Sequence, residues 1–206
     1  MSNLSLVMGV VGANANDQVI VLAGVAGLLA GAFSMGAGEW ISMQSQRELF
    51  ERQIELEREE LRVMPEQEEA ELAALYRRKG IPDADARRLA HHLMADPAMA
   101  LDTKVREELG LDPAELGSPW GAAAGSFLAF VVGAAVPLIP YLLADGTAAF
   151  IISLSFSLLA LFLVGAAVSL LTGKSAWRSG LRQMGIGGLA ASVTFAVGSL
   201  IGVAAS

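Results

Sequence analysis

The chain of 206 residues has no cysteine, few aromatic residues and long stretches without any charged residue. The absence of cysteine excludes disulfide bonds, cysteine-ligated zinc and iron–sulfur clusters. The hydrophobic fraction of 54% exceeds the usage of about 45–50% in soluble domains. Many of the glycines lie in the apolar stretches, where small residues let membrane helices approach each other closely. The composition is therefore typical of a membrane protein.

Charge is missing from three long apolar segments, 19–38, 120–144 and 146–173. Each is long enough to cross a hydrocarbon layer of about 30 Å as a helix. A fourth uncharged segment covers 183–206. Residues 4–13 are apolar but form only about half a span, so we expect a truncated first helix whose beginning lies upstream of a misplaced start.

Almost all of the charge lies in residues 44–117, which hold 18 of the 21 acidic and 11 of the 14 basic residues. This acidic segment lacks the basic face that phosphate groups need, so we exclude nucleic acid as a partner. The short segment 174–182 contains three basic residues and no acid, and the positive-inside rule places it in the cytoplasm. Counting back through the spans places 44–117 in the cytoplasm as well.

Proline and glycine divide the acidic segment into several predicted helices. The first continues the 19–38 span as far as Met64, because neither proline nor glycine intervenes after that span. Pro65 begins the next helix. Further helices are predicted after Pro82 and after Asp96.

Two pairs of glutamates flank Pro65. Glu57 and Glu60 are three residues apart and share one helix face. Glu68 and Glu71 have the same spacing on the next helix. If the chain reverses at Pro65, the four carboxylates repel each other, and a divalent cation such as Fe²⁺ or Mn²⁺ relieves that repulsion. The spacing alone also fits a solvated surface on which nearby arginines pair with these acids.

Met35 and Glu39 are the candidates at membrane depth. Met35 lies mid-span among small residues, where its thioether either lines a path or simply packs. Glu39 is an ionisable residue on the same span, a costly position that is often functional, although an interfacial position beside Trp40 is the alternative. The chain has no P-loop, GxSxG motif or nucleophile–base set, so we predict that it is not an enzyme.

Several motifs resemble the vacuolar iron transporter family in order and spacing over essentially the whole chain. They are GAFSMGAGEW from residue 31, SQRE from 45, PxxExxE from 65, REELGL from 106 and the serine–proline pair at 118–119. The resemblance implies five membrane helices per subunit, a homodimer and a cytoplasmic metal-binding domain between the second and third helices. It also implies export of Fe²⁺ or Mn²⁺ from the cytoplasm in exchange for protons.

The resemblance further implies a set of functional residues. The metal ligands would be Glu57, Glu60, Glu68, Glu71 and Glu108. Met35 would touch the translocation path, and Glu39 would partly replace an acid that some members carry where this chain has Gly27. Where members can place methionines before the last glutamate, this chain has Lys104 and Val105, so soft ligation is not expected there. The Asp-Gly pair of the family's first helix would precede Met1.

We therefore expect an all-α polytopic membrane bundle with three complete spans, a fourth span, a truncated first helix and a cytoplasmic helical metal-binding domain. The expected divisions are 1–43 for the first two helices, 44–117 for the cytoplasmic domain and 118–206 for three transmembrane helices. The expected function is Fe²⁺ or Mn²⁺ transport by proton antiport.

No resident cofactor is expected, and Zn²⁺ is a further candidate ion. The expected partners are divalent metal ions, protons, the lipid bilayer and a second copy of the chain, in a bacterial plasma membrane. Two alternatives remain open. One is a metal-binding membrane protein that does not transport, either a sensor or scaffold or a truncated paralogue. The other is an exporter of organic solutes.

Overall fold

A computed structural model describes residues 1–112 and 116–205, and these residues form helices and connecting turns with no strand. In chain order the helices are α1 (Ser2–Gly12), α2 (Asp17–Val63), α3 (Pro65–Arg78), α4 (Asp83–Met94), α5 (Pro97–Lys104), which continues into a π-helical turn (Val105–Leu109), α6 (Pro119–Ala135), α7 (Ile139–Leu143), α8 (Gly146–Thr172) and α9 (Ala176–Ala205). The predicted all-α fold class is confirmed.

Three of these helices, α2, α8 and α9, are long and apolar enough to cross a membrane. The apolar helices α1 and α6 are shorter. The chain is therefore an integral membrane protein, as its composition predicted. By contact density it divides into two compact units, one formed by Met1–Gly38 with Ala123–Ser206 and the other by Glu39–Ala122.

Helix α2 runs through 47 residues without interruption. The sequence predicted this continuity, since the last glycine in the helix is Gly38 and the next proline is Pro65. At about 1.5 Å per residue the helix is much longer than a hydrocarbon layer of about 30 Å. Its charged part, from Glu39 onward, belongs to the second compact unit.

The prediction of a single continuous helix over 120–144 is wrong. Helix α6 ends at Ala135, and the short helix α7 follows from Ile139. Pro137 and Pro140 cause the break, because proline has no backbone N–H and its ring clashes with the preceding helical turn. The Ser153 hydroxyl donates a hydrogen bond of 2.7 Å to the Pro137 carbonyl oxygen and so satisfies a buried acceptor at the break.

Helix α9 begins earlier than predicted. Its first turns contain Arg178 and Arg182, which precede the uncharged segment 183–206 that the sequence analysis treated as the fourth span. Lys174 lies before the helix, after Gly173 has ended α8 in the left-handed conformation with φ of 66°. The turn between α8 and α9 is therefore short, and most of the basic segment is helical.

The first compact unit is packed through glycines at its helix contacts. A methyl group on Gly198 of α9 would lie 1.9 Å from the carbonyl oxygen of Gly9 in α1. A methyl group on Gly165 of α8 would lie 2.6 Å from the carbonyl oxygen of Ser179 in α9. These helices approach so closely that only glycine fits, as expected where lipid provides no hydrophobic drive for helix pairing.

The second compact unit contains a hairpin of α3 and α4 with its own small core. The chain reverses at Gly80, which has φ of 93°. Asp96 caps α5, since its carboxylate accepts hydrogen bonds from the backbone N–H groups of Ala98 and Met99. The buried core residues are Leu72, Ala73, Leu75, Tyr76, Ala86 and Ala90.

Replacing Gly165 by leucine should separate α8 from α9 and lower the stability of the first unit. Inserting a side chain into a packed contact typically destabilises by about 1–3 kcal/mol, occasionally more. Gly185→Leu on α9 is the matched control, because a methyl group there meets no atom within 4 Å. We expect a lower thermal unfolding midpoint in detergent for Gly165→Leu only, and equal midpoints would contradict this packing.

Candidate metal centre

The five glutamates that the sequence singled out come from three helical segments of the second unit. Glu57 and Glu60 lie near the end of α2, Glu68 and Glu71 lie on α3, and Glu108 lies in the π-helical turn. Between α2 and α3 only Met64 leaves the helical conformation, with φ of −132° and ψ of 49°. This tight break brings the end of one helix close to the beginning of the next.

Carboxylates from both sides of that break meet. Glu57, Glu60 and Glu68 each place one carboxylate oxygen within 4.8 Å of the others. The Glu57 and Glu68 side chains are buried, with only 5% and 4% of each residue exposed, whereas Glu60 is exposed. Oxygens from three carboxylates at this spacing can bind one hard or borderline divalent cation together.

A lysine that the sequence analysis had not placed in the site lies among these glutamates. The Lys104 Nζ atom is 2.5 Å from Glu108 Oε1 and 2.6 Å from Glu68 Oε2. The same atom is 3.3 Å from Glu57 Oε1 and 3.6 Å from Glu71 Oε2. The Lys104 side chain has 0% exposure, so the ammonium group is enclosed by four carboxylates.

One sequence signal pointed toward this position. Lys104 precedes Glu108 by four residues, a spacing at which a lysine and a glutamate pair on a helix. The remaining contacts of Lys104 depend on how α5 packs against the ends of α2 and α3, which local spacing does not reveal. The sequence therefore indicated the pair with Glu108 but not the contacts with Glu57, Glu68 and Glu71.

Burial and neighbouring charges shift the pKa values of Lys104 and Glu57 in opposite directions. Burial disfavours the Lys104 ammonium, but its hydrogen bond to Glu108, its ion pair with Glu68 and the other nearby negative charges outweigh burial and raise the Lys104 pKa. Burial also raises the pKa of Glu57, an effect that the charge of Lys104 opposes. The cluster is therefore held by charge compensation inside a partly desolvated site.

That compensation is incomplete. Glu57 Oε1 and Glu68 Oε2 are buried and accept no well-directed hydrogen bond from the described residues, although both lie at ion-pair distance from Lys104 Nζ. Four carboxylates lie within 3.6 Å of a single ammonium group, and exposed Glu60 places a further carboxylate oxygen within 4.8 Å of those of Glu57 and Glu68. The site therefore carries net negative charge, and its buried carboxylate oxygens are incompletely satisfied as hydrogen-bond acceptors.

Met35 does not belong to the same compact unit as the five glutamates. It belongs to the first unit, is 48% exposed and lines a cavity of about 340 Å³ together with Asn3 and Phe130. Glu39 is exposed and begins the second unit. The translocation role of Met35 and Glu39 and the metal-binding role of the five glutamates stay predictions.

Asn3 is a further polar residue that the sequence analysis missed. It is buried, and its Nδ2 donates a hydrogen bond of 2.8 Å to the Ala134 carbonyl oxygen. Its Oδ1 has no hydrogen-bond partner among the described residues and would lie 2.8 Å from a methyl group on Gly27. Asn3 also lines the Met35 cavity, so a polar residue with an uncompensated amide oxygen lies beside that cavity.

Replacing Glu68 by alanine should destabilise the second unit. The variant leaves the buried Lys104 ammonium without one of its two closest partners, and an unmet buried polar group costs about 1–3 kcal/mol, more when it is charged. Glu66→Ala, at an exposed position on the same helix, is the control. The measurement is the unfolding transition of the full chain in detergent with chelator, and an unchanged transition for Glu68→Ala would contradict the structural role.

Comparison with known proteins places these observations in context. The family model of the VIT family matches residues 1–199. Vacuolar iron transporter 1 of Arabidopsis thaliana is 32% identical over 198 residues, which are 96% of this chain and 79% of that protein. Vacuolar iron transporter 1 of Eucalyptus grandis is 31% identical over 198 residues, 96% of this chain and 80% of that protein. A vacuolar iron transporter of Acanthamoeba castellanii is 36% identical over 133 residues, 65% of this chain and 50% of that protein.

Proposed function

This chain belongs to the VIT family, and we propose that it transports divalent metal ions across a membrane. In keeping with the family, the protein is a transporter and not an enzyme. The observation that carries the proposal is the convergence of Glu57, Glu60 and Glu68 on a point that one cation can occupy. The apolar helices α2, α8 and α9 provide the membrane-spanning part.

Fe²⁺ is the proposed principal ion, with Mn²⁺ as the second. The names of the similar plant and amoeba proteins support iron. The donor atoms support both ions, because the cluster offers carboxylate oxygens, which suit hard and borderline divalent cations. Met35 provides a soft thioether in the first unit, where a transported ion of borderline softness could make a transient contact.

The proposed direction of transport is out of the cytoplasm. The positive-inside rule assigns the basic segment 174–182 to the cytoplasm, and the alternation of spans assigns 44–117 to the same side. The glutamate cluster would then bind the ion on the cytoplasmic side and raise its local concentration. We propose that the path itself lies between two copies of the chain, because Met35 is half-exposed in a single copy.

Proton exchange follows from the chemistry of the ligands. A carboxylate must be deprotonated to bind a metal ion, so protons and metal compete for the same oxygens. A proton gradient directed into the cytoplasm would drive metal in the opposite direction if the path has one binding site open to either side in turn. The proposed mechanism is therefore an antiport of protons and divalent metal.

Removing the exposed glutamates of the cluster should weaken metal binding without unfolding the domain. The double variant Glu60→Ala/Glu71→Ala deletes two oxygen donors but keeps the short contacts of Lys104 with Glu68 and Glu108. We expect the Mn²⁺ dissociation constant of the full chain in detergent to rise by roughly tenfold or more, about 1.4 kcal/mol, by titration calorimetry.

The matched control for that titration is Glu55→Ala/Glu66→Ala, which removes two exposed glutamates from the same pair of helices outside the cluster. This variant should bind Mn²⁺ like the unmodified chain. Equal loss of affinity in both double variants would point to general surface charge and contradict a specific site.

Transport is tested by reconstitution into lipid vesicles with a fluorescent metal indicator inside. With the cytoplasmic face outward, an acidic lumen should accelerate Fe²⁺ or Mn²⁺ uptake, and a protonophore should abolish the acceleration. A rate independent of the gradient would contradict antiport. Metal binding without any flux would favour the alternative of a metal-binding membrane protein that does not transport.

A further inference from the structure

The residue at the centre of the glutamate cluster is a cation that belongs to the chain. Lys104 Nζ lies 2.5 Å from Glu108 and 2.6 Å from Glu68, with Glu57 at 3.3 Å. Its side chain is completely enclosed, unlike those of most lysines, which keep their ammonium group in water. The ammonium group therefore occupies the region toward which the proposed metal ligands point.

We propose that Lys104 is an internal counter-cation that stabilises the metal-free cluster, and that a divalent ion must displace its ammonium group to bind. The proposal rests on the metal-binding function proposed above. It assigns to Lys104 a role in setting the affinity of the site, as a residue that acts through the ligands rather than as a ligand itself.

The two cations cannot share the cluster at low energy. A bound divalent ion lies about 2.0–2.6 Å from its carboxylate oxygens. The Glu68 oxygen is only 2.6 Å from Lys104 Nζ, so an ion bound to the same oxygen would lie close to the ammonium group in a site with little solvent. Like charges at that separation repel strongly when water is largely excluded. Each cation therefore weakens the binding of the other.

The structure provides a way for this exchange to occur. The Glu71 side chain is 64% exposed, and Glu60 is exposed as well, so one side of the cluster opens to solvent. Glu71 lies 3.6 Å from Lys104 Nζ and marks the direction in which the ammonium group can withdraw. A lysine side chain has four rotatable carbon–carbon bonds, so the proposed withdrawal proceeds by rotation of the side chain.

The ion pairs of Lys104 also give the metal-free site a defined structure. Without a cation the buried carboxylates of Glu57 and Glu68 would repel each other and spread apart. Lys104 holds them at their present separation, so the ligands remain gathered between binding events. Lys104 thus lowers the affinity of the site for metal but keeps its ligands gathered. The weaker binding favours release of a transported ion.

The test compares Lys104→Leu with the unmodified full chain in detergent, with Mn²⁺ alone as the probe. Leucine removes the charge and supplies no donor atom. We expect Lys104→Leu to bind Mn²⁺ at least about fivefold more tightly, within the range of about 5- to 150-fold that is typical of coupling between two ligands. Its unfolding midpoint should be lower in chelator and should rise further on Mn²⁺ addition than that of the unmodified chain.

Two further variants make the test specific. Lys79→Leu removes another lysine that pairs with a glutamate, Glu107, outside the cluster, and should leave Mn²⁺ affinity unchanged. Lys104→Arg keeps the positive charge and should bind no more tightly than the unmodified chain. If Lys104→Leu does not fold without metal, Lys104→Gln, which is neutral but retains a hydrogen-bond donor, takes its place in the same titration.

The outcomes separate this inference from the proposed function. The proposed displacement of Lys104 is supported if the neutral Lys104 variant binds Mn²⁺ more tightly than the unmodified chain while Lys79→Leu binds with unchanged affinity. The same conclusion holds if the neutral variant binds Mn²⁺ and the unmodified chain binds it too weakly to measure. Equal or weaker binding by that variant, when the unmodified chain binds Mn²⁺, overturns the inference alone and leaves the metal site standing. No binding by either protein contradicts both the metal site and the inference.

Discussion

The second unit depends on one electrostatic constraint, namely that carboxylates gathered in a partly buried site need a cation among them. Four glutamate side chains surround Lys104 Nζ within 3.6 Å, and two of them, Glu57 and Glu68, are buried. Without compensation such groups would be protonated or would move apart. Three helical segments, α2, α3 and the end of α5, are therefore held near each other by charge, whereas the small apolar core joins α3 to α4.

A tethered ammonium and a free divalent ion satisfy this constraint in different ways. The ammonium is always available at high effective concentration, because it is part of the same chain. The divalent ion carries twice the charge but must be captured from solution and lose water. In the proposed exchange, the free metal concentration would decide which of the two cations occupies the cluster.

Much of the fold followed from local sequence patterns. The uncharged segments predicted the apolar helices, and Pro65, Pro82 and Asp96 predicted where helices of the acidic segment begin. Two elements differed: α9 begins earlier than predicted, and Pro137 and Pro140 were not recognised as a break in the span after residue 120. The long uncharged run dominated that prediction, although proline at those positions interrupts helical hydrogen bonding.

The candidate site was predictable only in part. The i,i+3 spacing of each glutamate pair and the break at Pro65 predicted that carboxylates from both sides of the break approach each other, as those of Glu57, Glu60 and Glu68 do, because both signals act over a few residues. In the sequence, Lys104 was noted only as a residue at a position where members of the family can have a methionine ligand. It was not predicted to lie in the cluster. Its contacts with Glu57 and Glu68 join residues more than thirty positions apart and depend on tertiary packing, as does the burial of Asn3 against Ala134.

The π-helical turn Val105–Leu109 imposes a length requirement on the segment that carries Glu108. Such a turn closes over five residues rather than four, so it holds one more residue than a regular helix would. Because each helical residue turns the chain by about 100°, removing a residue between Pro97 and Lys104 would rotate Lys104 and Glu108 together away from Glu57 and Glu68, while leaving the composition almost unchanged. Homologous chains should therefore tolerate substitutions between Pro97 and Gly110 more readily than insertions or deletions.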